Sequence, residues 1–217
     1  MANALIYAPA GGGKTVNSTR VSTPNGKKNL LVCTDNSSMV LRNFDRPNLD
    51  IVNVSTSVDF RAAYKAGYQS GKYENIILDN LSDLFDMWIL EMGTAEAQAA
   101  GAPKDVRQQY QLVYQELKRL ARESTACGCN TIFTAWVDQF QYTLPGGEMI
   151  TRIQPKPPMK ILDNVLGLMN VVGYLTSKEG KWWYITEGTQ TLIAKDQIAC
   201  RKVCWPEDIF TIKGERK

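Results

Sequence analysis

The chain has 217 residues, with 25 Lys+Arg against 22 Asp+Glu for a formal net charge of +3, and it is 44% hydrophobic and 22% charged. This is an ordinary folded composition, which excludes the disordered and fibrous classes, and the length suits one domain with a substantial core. Histidine is absent, so Ser-His-Asp and Cys-His nucleophile pairs, imidazole general bases and imidazole metal sites are excluded.

No run approaches the ~20 apolar residues of a membrane span. The N-terminus, Met1–Tyr7, lacks a basic segment and runs straight into a glycine loop, unlike a secretory signal. A cytoplasmic protein with no membrane partner is expected. Cys33, Cys127, Cys129, Cys200 and Cys204 are an odd set, which fits reduced thiols. Cys127-x-Cys129 with Cys200-x3-Cys204 could form a four-thiolate zinc site, but neither spacing is the usual knuckle, and small buried hydrophobes are the preferred reading.

In chain order, Ala4–Tyr7 is a strand ending in Ala8-Pro9-Ala10-Gly11-Gly12-Gly13-Lys14-Thr15. Asn29–Thr34 and Asp50–Val54 are further strands, and 57–71 is a helix capped near Ser57 or Asp59. Asn75–Asp79 is continuously apolar up to its final carboxylate, as a doubly buried strand is. Helices follow at 82–97 and 105–124, separated by a flexible linker at 93–104, and then a strand at 130–136. This βαβ order predicts a parallel sheet with helices on both faces. Beyond Trp136 the pattern changes to a hairpin (139–144 and 148–153 around Pro145-Gly146-Gly147), a helix at 159–168 after a proline-rich segment, and antiparallel strands at 171–176, 182–187 and 191–195. The expected architecture is α/β, a mainly parallel sheet with C-terminal antiparallel strands: one domain with a core at 1–136 and an extension at 137–217.

Residues 8–15 match G-x-x-x-x-G-K-[ST], with Ala8 in the first glycine's place. Glycines let successive amides, here those of Ala10, Gly11, Gly12, Gly13, Lys14, Thr15 and Val16, turn toward phosphate oxygens. The following helix would aim its positive end at the same anion. Lys14 would reach the β- and γ-phosphates and Thr15 would ligate Mg²⁺, so ATP and Mg²⁺ are the expected cofactors. Asp79, 65 residues after Lys14, is the expected second Mg²⁺-holding group. Asn80, Ser82 and Asp83 could orient water, although capping of the next helix by Ser82 or Asp83 is more economical.

With both elements in place, the chain resembles the phage-encoded RecA-core ATPases, the AAA-type nucleotide-binding family that includes single-strand-annealing recombination proteins. The resemblance rests on Leu5–Thr15, on Asn-Ile-Ile-Leu-Asp-Asn-Leu-Ser-Asp-Leu at 75–84, on Thr131–Trp136, and on the tail from Asn170–Leu175 to Ala194-Lys195-Asp196-Gln197. It implies a RecA-like P-loop fold and ATP binding and hydrolysis in a homo-oligomer. The implied output is single-stranded DNA pairing beside a single-strand-binding protein. It also implies that Lys195 reaches a nucleotide, often across a subunit interface.

Two positions depart from the family pattern. Where relatives place a water-polarising glutamate after the second strand, this chain has Cys33-Thr34-Asp35-Asn36, leaving Asp35 as the catalytic candidate. Where relatives often carry a histidine or glutamine sensor at the end of the fifth strand, it has Ala135-Trp136-Val137-Asp138-Gln139, with Asp138 and Gln139 as stand-ins. Slow turnover is therefore expected as one outcome. Lys181-Trp182-Trp183-Tyr184, Arg201-Lys202, Trp205 and the tail 213–217 could contact single strands, since aromatic faces stack bases and cations track phosphates. Core packing of alternate aromatics explains Trp182–Tyr184 equally well. The basic residues of helix 105–124 read as a solvated face. Besides the ATPase, a nucleotide-gated scaffold without turnover and a small-molecule kinase stay open; the antiparallel extension and the lack of an Arg-rich lid weigh against the kinase.

Overall fold

The computed structural model describes residues 1–156 and 159–212. Strand β1 (Asn3–Ala8) enters the glycine loop and the five-residue helix α1 (Lys14–Ser18), and β2 (Lys28–Cys33) leads through a 3-10 segment at Ser37–Asn43 to β3 (Leu49–Asn53). Next come α2 (Ser57–Gln69), β4 (Tyr73–Asp79), α3 (Leu81–Met92), α4 (Ala95–Ala99), α5 (Val106–Ser124) and the long β5 (Asn130–Thr143). The remainder is β6 (Met149–Pro155), α6 (Met159–Gly167), β7 (Val171–Lys178), β8 (Lys181–Ile185), β9 (Lys195–Asp196) and β10 (Val203–Cys204).

The strands lie in the order β10-β8-β7-β1-β5-β4-β2-β3, with β6 beside β5 and β9 beside β7. All neighbours from β7 to β3 run parallel, whereas β8, β9, β10 and β6 pair antiparallel. This is the mainly parallel α/β architecture with C-terminal antiparallel strands that the sequence led us to expect. β5 separates the loop-bearing β1 from β4.

The handedness of parallel crossovers determines which face each connection covers. From β1 to β2 to β3 the chain moves one way across the sheet. From β3 to β4, β5 and β7 it moves back. Right-handed crossovers therefore place α1 and the 3-10 segment on one face and α2, α3, α5 and α6 on the other. Side-chain alternation agrees: Leu5 and Tyr7 join Leu30, Ile76 and Phe133 against Phe60, Leu84, Leu117 and Val165. Ala4, Ile6 and Ala8 face the opposite way with Leu31, Ile77 and Ile132, against Val21, Leu41 and Ile209. Helices thus lie on both faces, but unequally: every long helix lies on one face, and α1, the 3-10 segment and the chain around Ile209 cover the other. Each buried leucine or phenylalanine in these layers contributes about 1.5–3 kcal/mol.

Local signals account for the helix ends. Thr56 caps α2 through the amide of Asp59, so the cap is one residue before the expected Ser57. Asn80 caps α3 through Asp83, replacing the expected Ser82 or Asp83. α5 buries Val113, Leu117, Leu120 and Ala121, a helical stripe, and exposes an Arg119–Glu123 pair on the far side. The expected 16-residue helix after Asp79 ends at Met92, and the linker holds α4. The expected strand at 191–195 contracts to β9 plus a bridge between Ile153 and Leu192. β10 and the 3-10 segment carry no sequence periodicity and were not anticipated. Among the described residues no helix is long and apolar enough to cross a membrane.

Candidate functional site

Open α/β sheets form crevices at the carboxyl ends of adjacent strands whose connections leave to opposite faces. β1 and β2 send their chains to one face, and β5 and β4 to the other, so the ends of these four strands frame such a crevice. Here lies a cavity of about 410 Å³ whose lining includes the loop from Ala10 to Val16, with Asp35, Ser37, Asp79 and Trp136. All seven loop residues expected to bind the nucleotide are in this lining.

The loop's shape follows from its small residues. Gly11 and Gly13 have φ of 71° and 74°, the left-handed region that glycine adopts without strain. A Cβ on Gly12 would lie 2.9 Å from the Pro9 carbonyl oxygen and 3.1 Å from the Ala8 methyl. Position 12 therefore takes no side chain without displacing the Pro9 backbone. The Lys14 ammonium, buried within the loop, donates to the carbonyls of Pro9 at 2.9 Å and Ala8 at 3.2 Å. Burial pulls its pKa below the ordinary lysine value, and the carboxylates of Asp79 and Asp35 oppose that shift. Because α1 spans only Lys14–Ser18, the expected helix-dipole contribution is small, which leaves the loop amides and Lys14 as the groups able to hold an anion.

Asp79 ends β4 at 1% exposure. Its Oδ2 accepts from the Thr15 hydroxyl at 2.6 Å and the Ser37 hydroxyl at 2.8 Å, and its Oδ1 accepts from Thr134. Burial pushes the Asp79 carboxyl above the usual range, and these three hydroxyls oppose that shift. Thr15 and Ser37 lie 3.0 Å apart. Asp35 is also at the site: its Oδ2 accepts from the Asn80 amide group at 2.6 Å and its Oδ1 from the Ser37 backbone amide at 3.0 Å. The Asp79–Asn80 peptide is cis. Cys33, Asp35 and Asp79 could converge on one cation. Hydroxyls and carboxylates are hard oxygen donors of the kind Mg²⁺ takes, and the glycine loop leaves its amides room to approach phosphate. The residues present therefore fit a Mg²⁺-nucleotide.

Several of these groups lacked a sequence signal. Ser37 sits in the unpredicted 3-10 segment. Thr134 was detectable only as a polar residue on the inward side of an apolar strand. Trp136 walls the cavity, and its ring carries the Lys156 ammonium 5.1 Å from the centroid. Gly13 packs beneath Trp182, whose ring carbons would lie 3.2–3.3 Å from a Cβ placed there. Trp182, a candidate for DNA stacking, is thus a packing partner of the phosphate loop.

Other expectations are not gathered here. Lys195 pairs with Val172 on β7, whose neighbour on β1 is Leu5, three residues short of Ala8. That register is ~10 Å back from the loop along the strand. Lys195 does not line the cavity of its own chain, and burial alone pulls its pKa down. Asp138 and Gln139, the candidate sensor stand-ins, are exposed on the hairpin and do not line the cavity of their own chain. Arg201 is consumed by Asp196 at 2.5 Å and by the carbonyls of Asp208 and Ile209, and Lys202 pairs with Glu187 at 3.0 Å. The tail 213–217 lies outside the described residues. The cysteines do not form a zinc site among the described residues: Cys127 and Cys129 are neighbours at 3.4 Å, while Cys33, Asp35 and Asp79 are the sole metal-capable group there. Cys33, Cys129 and Cys204 are buried as small hydrophobes, whereas Cys200 is exposed.

Residues 2–198 match a protein family described as an AAA domain. Among solved structures, the chain is similar to a KaiC-like protein from the hyperthermophilic archaeon Pyrococcus horikoshii OT3, at 13% identity over 84% of this chain and 76% of that chain, with a TM-score of 0.49. No curated protein matches the sequence.

Proposed function

The chain belongs to this AAA-domain family, and from that premise we propose that it binds ATP with Mg²⁺ in the glycine-loop cavity, hydrolyses it, and uses the cycle in phage DNA recombination or replication. The observation that carries the nucleotide reading is the convergence of Thr15, Ser37 and Asp79 beside the phosphate loop. When bound, Mg²⁺ supplies charge neutralisation at the phosphates. Asp79 holds the Thr15 and Ser37 hydroxyls in place for it. The loop amides bind the phosphate oxygens, and Lys14 exchanges its carbonyl partners for them. Asp35, fixed by Asn80 and the Ser37 amide, is the carboxylate placed to orient water. Phosphoryl transfer depends mainly on positioning and electrostatics, so a chain without imidazole can perform it.

The DNA role rests on the sequence resemblance together with the exposed Lys181 and Trp205, the latter beside Trp183 with ring centroids 6.3 Å apart. Self-association is part of the same reading. Since Lys195 lies away from its own loop, a role at phosphate requires a second copy.

One observation favours a second reading, a nucleotide-gated module with little turnover. The carboxylates lining the cavity are Asp35 and Asp79, and both already accept hydrogen bonds from neighbouring groups. An ATPase assay with and without single-stranded DNA, run beside a sizing measurement, separates the readings. Hydrolysis accelerated by DNA supports the recombination role; ATP binding without hydrolysis supports the gated module; phosphate transfer to a nucleoside rather than to water supports a kinase.

A further inference from the structure

Strand β3 is the outer strand of the sheet and pairs only with β2 among the described residues. The amide of Asn29 bonds the carbonyl of Asn48, and the amide of Val54 bonds the carbonyl of Cys33. Even-numbered residues thus turn their backbone groups toward β2. In a parallel ladder the odd-numbered ones, Ile51 and Asn53, turn theirs outward. An open edge of this kind is a template for another extended chain.

The side chains of those same residues floor a groove of about 350 Å³ between β3 and the 3-10 segment. Its walls combine apolar surface with two cations. Met39, Phe44 and Ile51 are 58%, 43% and 41% exposed, a cluster of large apolar groups at one place on the surface. Arg42 and Arg46 line the groove, and neither has a carboxylate partner among the described residues. Arg46 lies over the Phe44 ring, 5.6 Å from its centroid, and its Nε is buried without a hydrogen-bond partner. Asp45, the nearest carboxylate in sequence, is not part of the lining. A buried N–H donor left unpaired costs free energy that an anionic ligand recovers.

The 3-10 segment separates this groove from the nucleotide cavity. Ser37 and Val40 line the cavity, while Met39 and Arg42 line the groove. Ser37 in turn bonds Asp79.

We propose that the groove binds an extended acidic peptide with alternating apolar side chains, which adds to β3 as a further strand and communicates with the nucleotide cavity through the 3-10 segment. Backbone bonds at Ile51 and Asn53 supply the register, the apolar floor takes alternate side chains, and Arg42 and Arg46 take the carboxylates. The communication rests on the nucleotide reading above; the docking does not.

The test uses a short fluorescein-labelled peptide alternating aspartate with isoleucine, titrated into the full chain by anisotropy. The wild-type protein is expected to bind it, and the Arg42→Ala/Arg46→Ala variant to bind it at least about tenfold more weakly. Hydrogen exchange is expected to show new protection at the Ile51 and Asn53 amides in the wild-type complex, a readout that does not depend on any variant folding. The Lys14→Ala protein should bind the peptide with wild-type affinity but lose any change of that affinity on adding ATP and Mg²⁺. If ATP does not bind at all, the nucleotide reading fails while the peptide titration still reports on the groove. The docking proposal is overturned if the wild type does not bind the peptide, if wild type and double variant bind alike, or if a lysine-for-aspartate peptide binds as well. It is also overturned if Ile51 and Asn53 stay unprotected, if oligothymidylate occupies the groove in the peptide's place, or if the arginine substitutions change the protein's oligomeric size without affecting peptide binding. Peptide affinity in wild type that is indifferent to bound ATP overturns the communication.

Discussion

The Thr15 hydroxyl donates to Asp79 at 2.6 Å although 64 residues separate them in sequence and strand β5 lies between their own strands. Two strand spacings, about 9.6 Å, are bridged because Asp79 ends β4 while Thr15 lies on α1, which follows β1 and leans over the intervening strand. The insertion of β5 brings Thr134 to the other oxygen of the same carboxylate. Asp79 is thereby buried and oriented by three hydroxyls from three different segments.

This arrangement makes Asp79 a sensitive position. Asp79→Asn keeps the volume but removes the charge and the acceptor pattern for Thr15 and Ser37. ATP hydrolysis is expected to fall by about 100-fold or more, with the far-UV circular dichroism unchanged. Hydrolysis rates measured across a Mg²⁺ titration check this, and a wild-type rate at ordinary Mg²⁺ would remove Asp79 from the site.

Lys14→Ala removes the cation that now spans the Pro9 and Ala8 carbonyls. Binding of a fluorescent ATP analogue is expected to weaken by roughly 100-fold, the ~3 kcal/mol of a charge-assisted contact to phosphate, and hydrolysis to disappear. Hydrolysis at the wild-type rate would mean that the phosphate-loop assignment is wrong.

Gly13 and Trp182 are expected to be energetically coupled. Gly13→Ala places a methyl at a positive φ and 3.2 Å from the indole, so it should cost about 1–3 kcal/mol. Trp182→Ala removes the clash but not the backbone strain. A double-mutant cycle by chemical denaturation is expected to give a coupling of about 0.5–2 kcal/mol. Additivity would show that the indole does not constrain the loop.

Asp196 and Arg201 supply a pH dependence. Burial pushes the Asp196 carboxyl up, but the Arg201 guanidinium and the amides of Ala199 and Arg201 outweigh it, leaving the group below the usual carboxylate range. The unfolded chain therefore binds the proton more readily, and the pair's stabilisation is present above the unfolded carboxylate pKa and is lost as pH falls through the folded one. Asp196→Asn strands Arg201, and is expected to cost about 3–5 kcal/mol near neutrality and to flatten the acid limb of stability. Urea midpoints between pH 3 and pH 7 measure both effects.

The phosphate loop, the strand ending in Asp79 and the amphipathic α5 were all legible in the residues. Each depends on a local pattern: glycines before Lys-Thr, a continuous apolar run, an i, i+4, i+7 stripe. The helix starts moved by a residue or so because a side-chain cap depends on which hydroxyl or amide meets the free amides, whereas the helix expected at 82–97 stopped five residues early, at Met92. The hairpin was legible as two strands, but not as the continuation of β5 beyond the sheet, because no breaker marks the point at Trp136 where pairing passes from β4 to β6.

The sequence by itself determined the shape and chemistry of the glycine loop, since its turns and the contacts of Lys14 involve neighbours within a few residues. It likewise determined the absence of imidazole chemistry. Only the tertiary structure decided which strand lies between β1 and β4, that Ser37 and Thr134 join Asp79, that Trp182 covers Gly13, and that Lys195 lies away from the loop. Those relations depend on strand order and register, which are set by packing across the whole sheet. A pattern read along one segment contains no information about which distant segment will lie beside it.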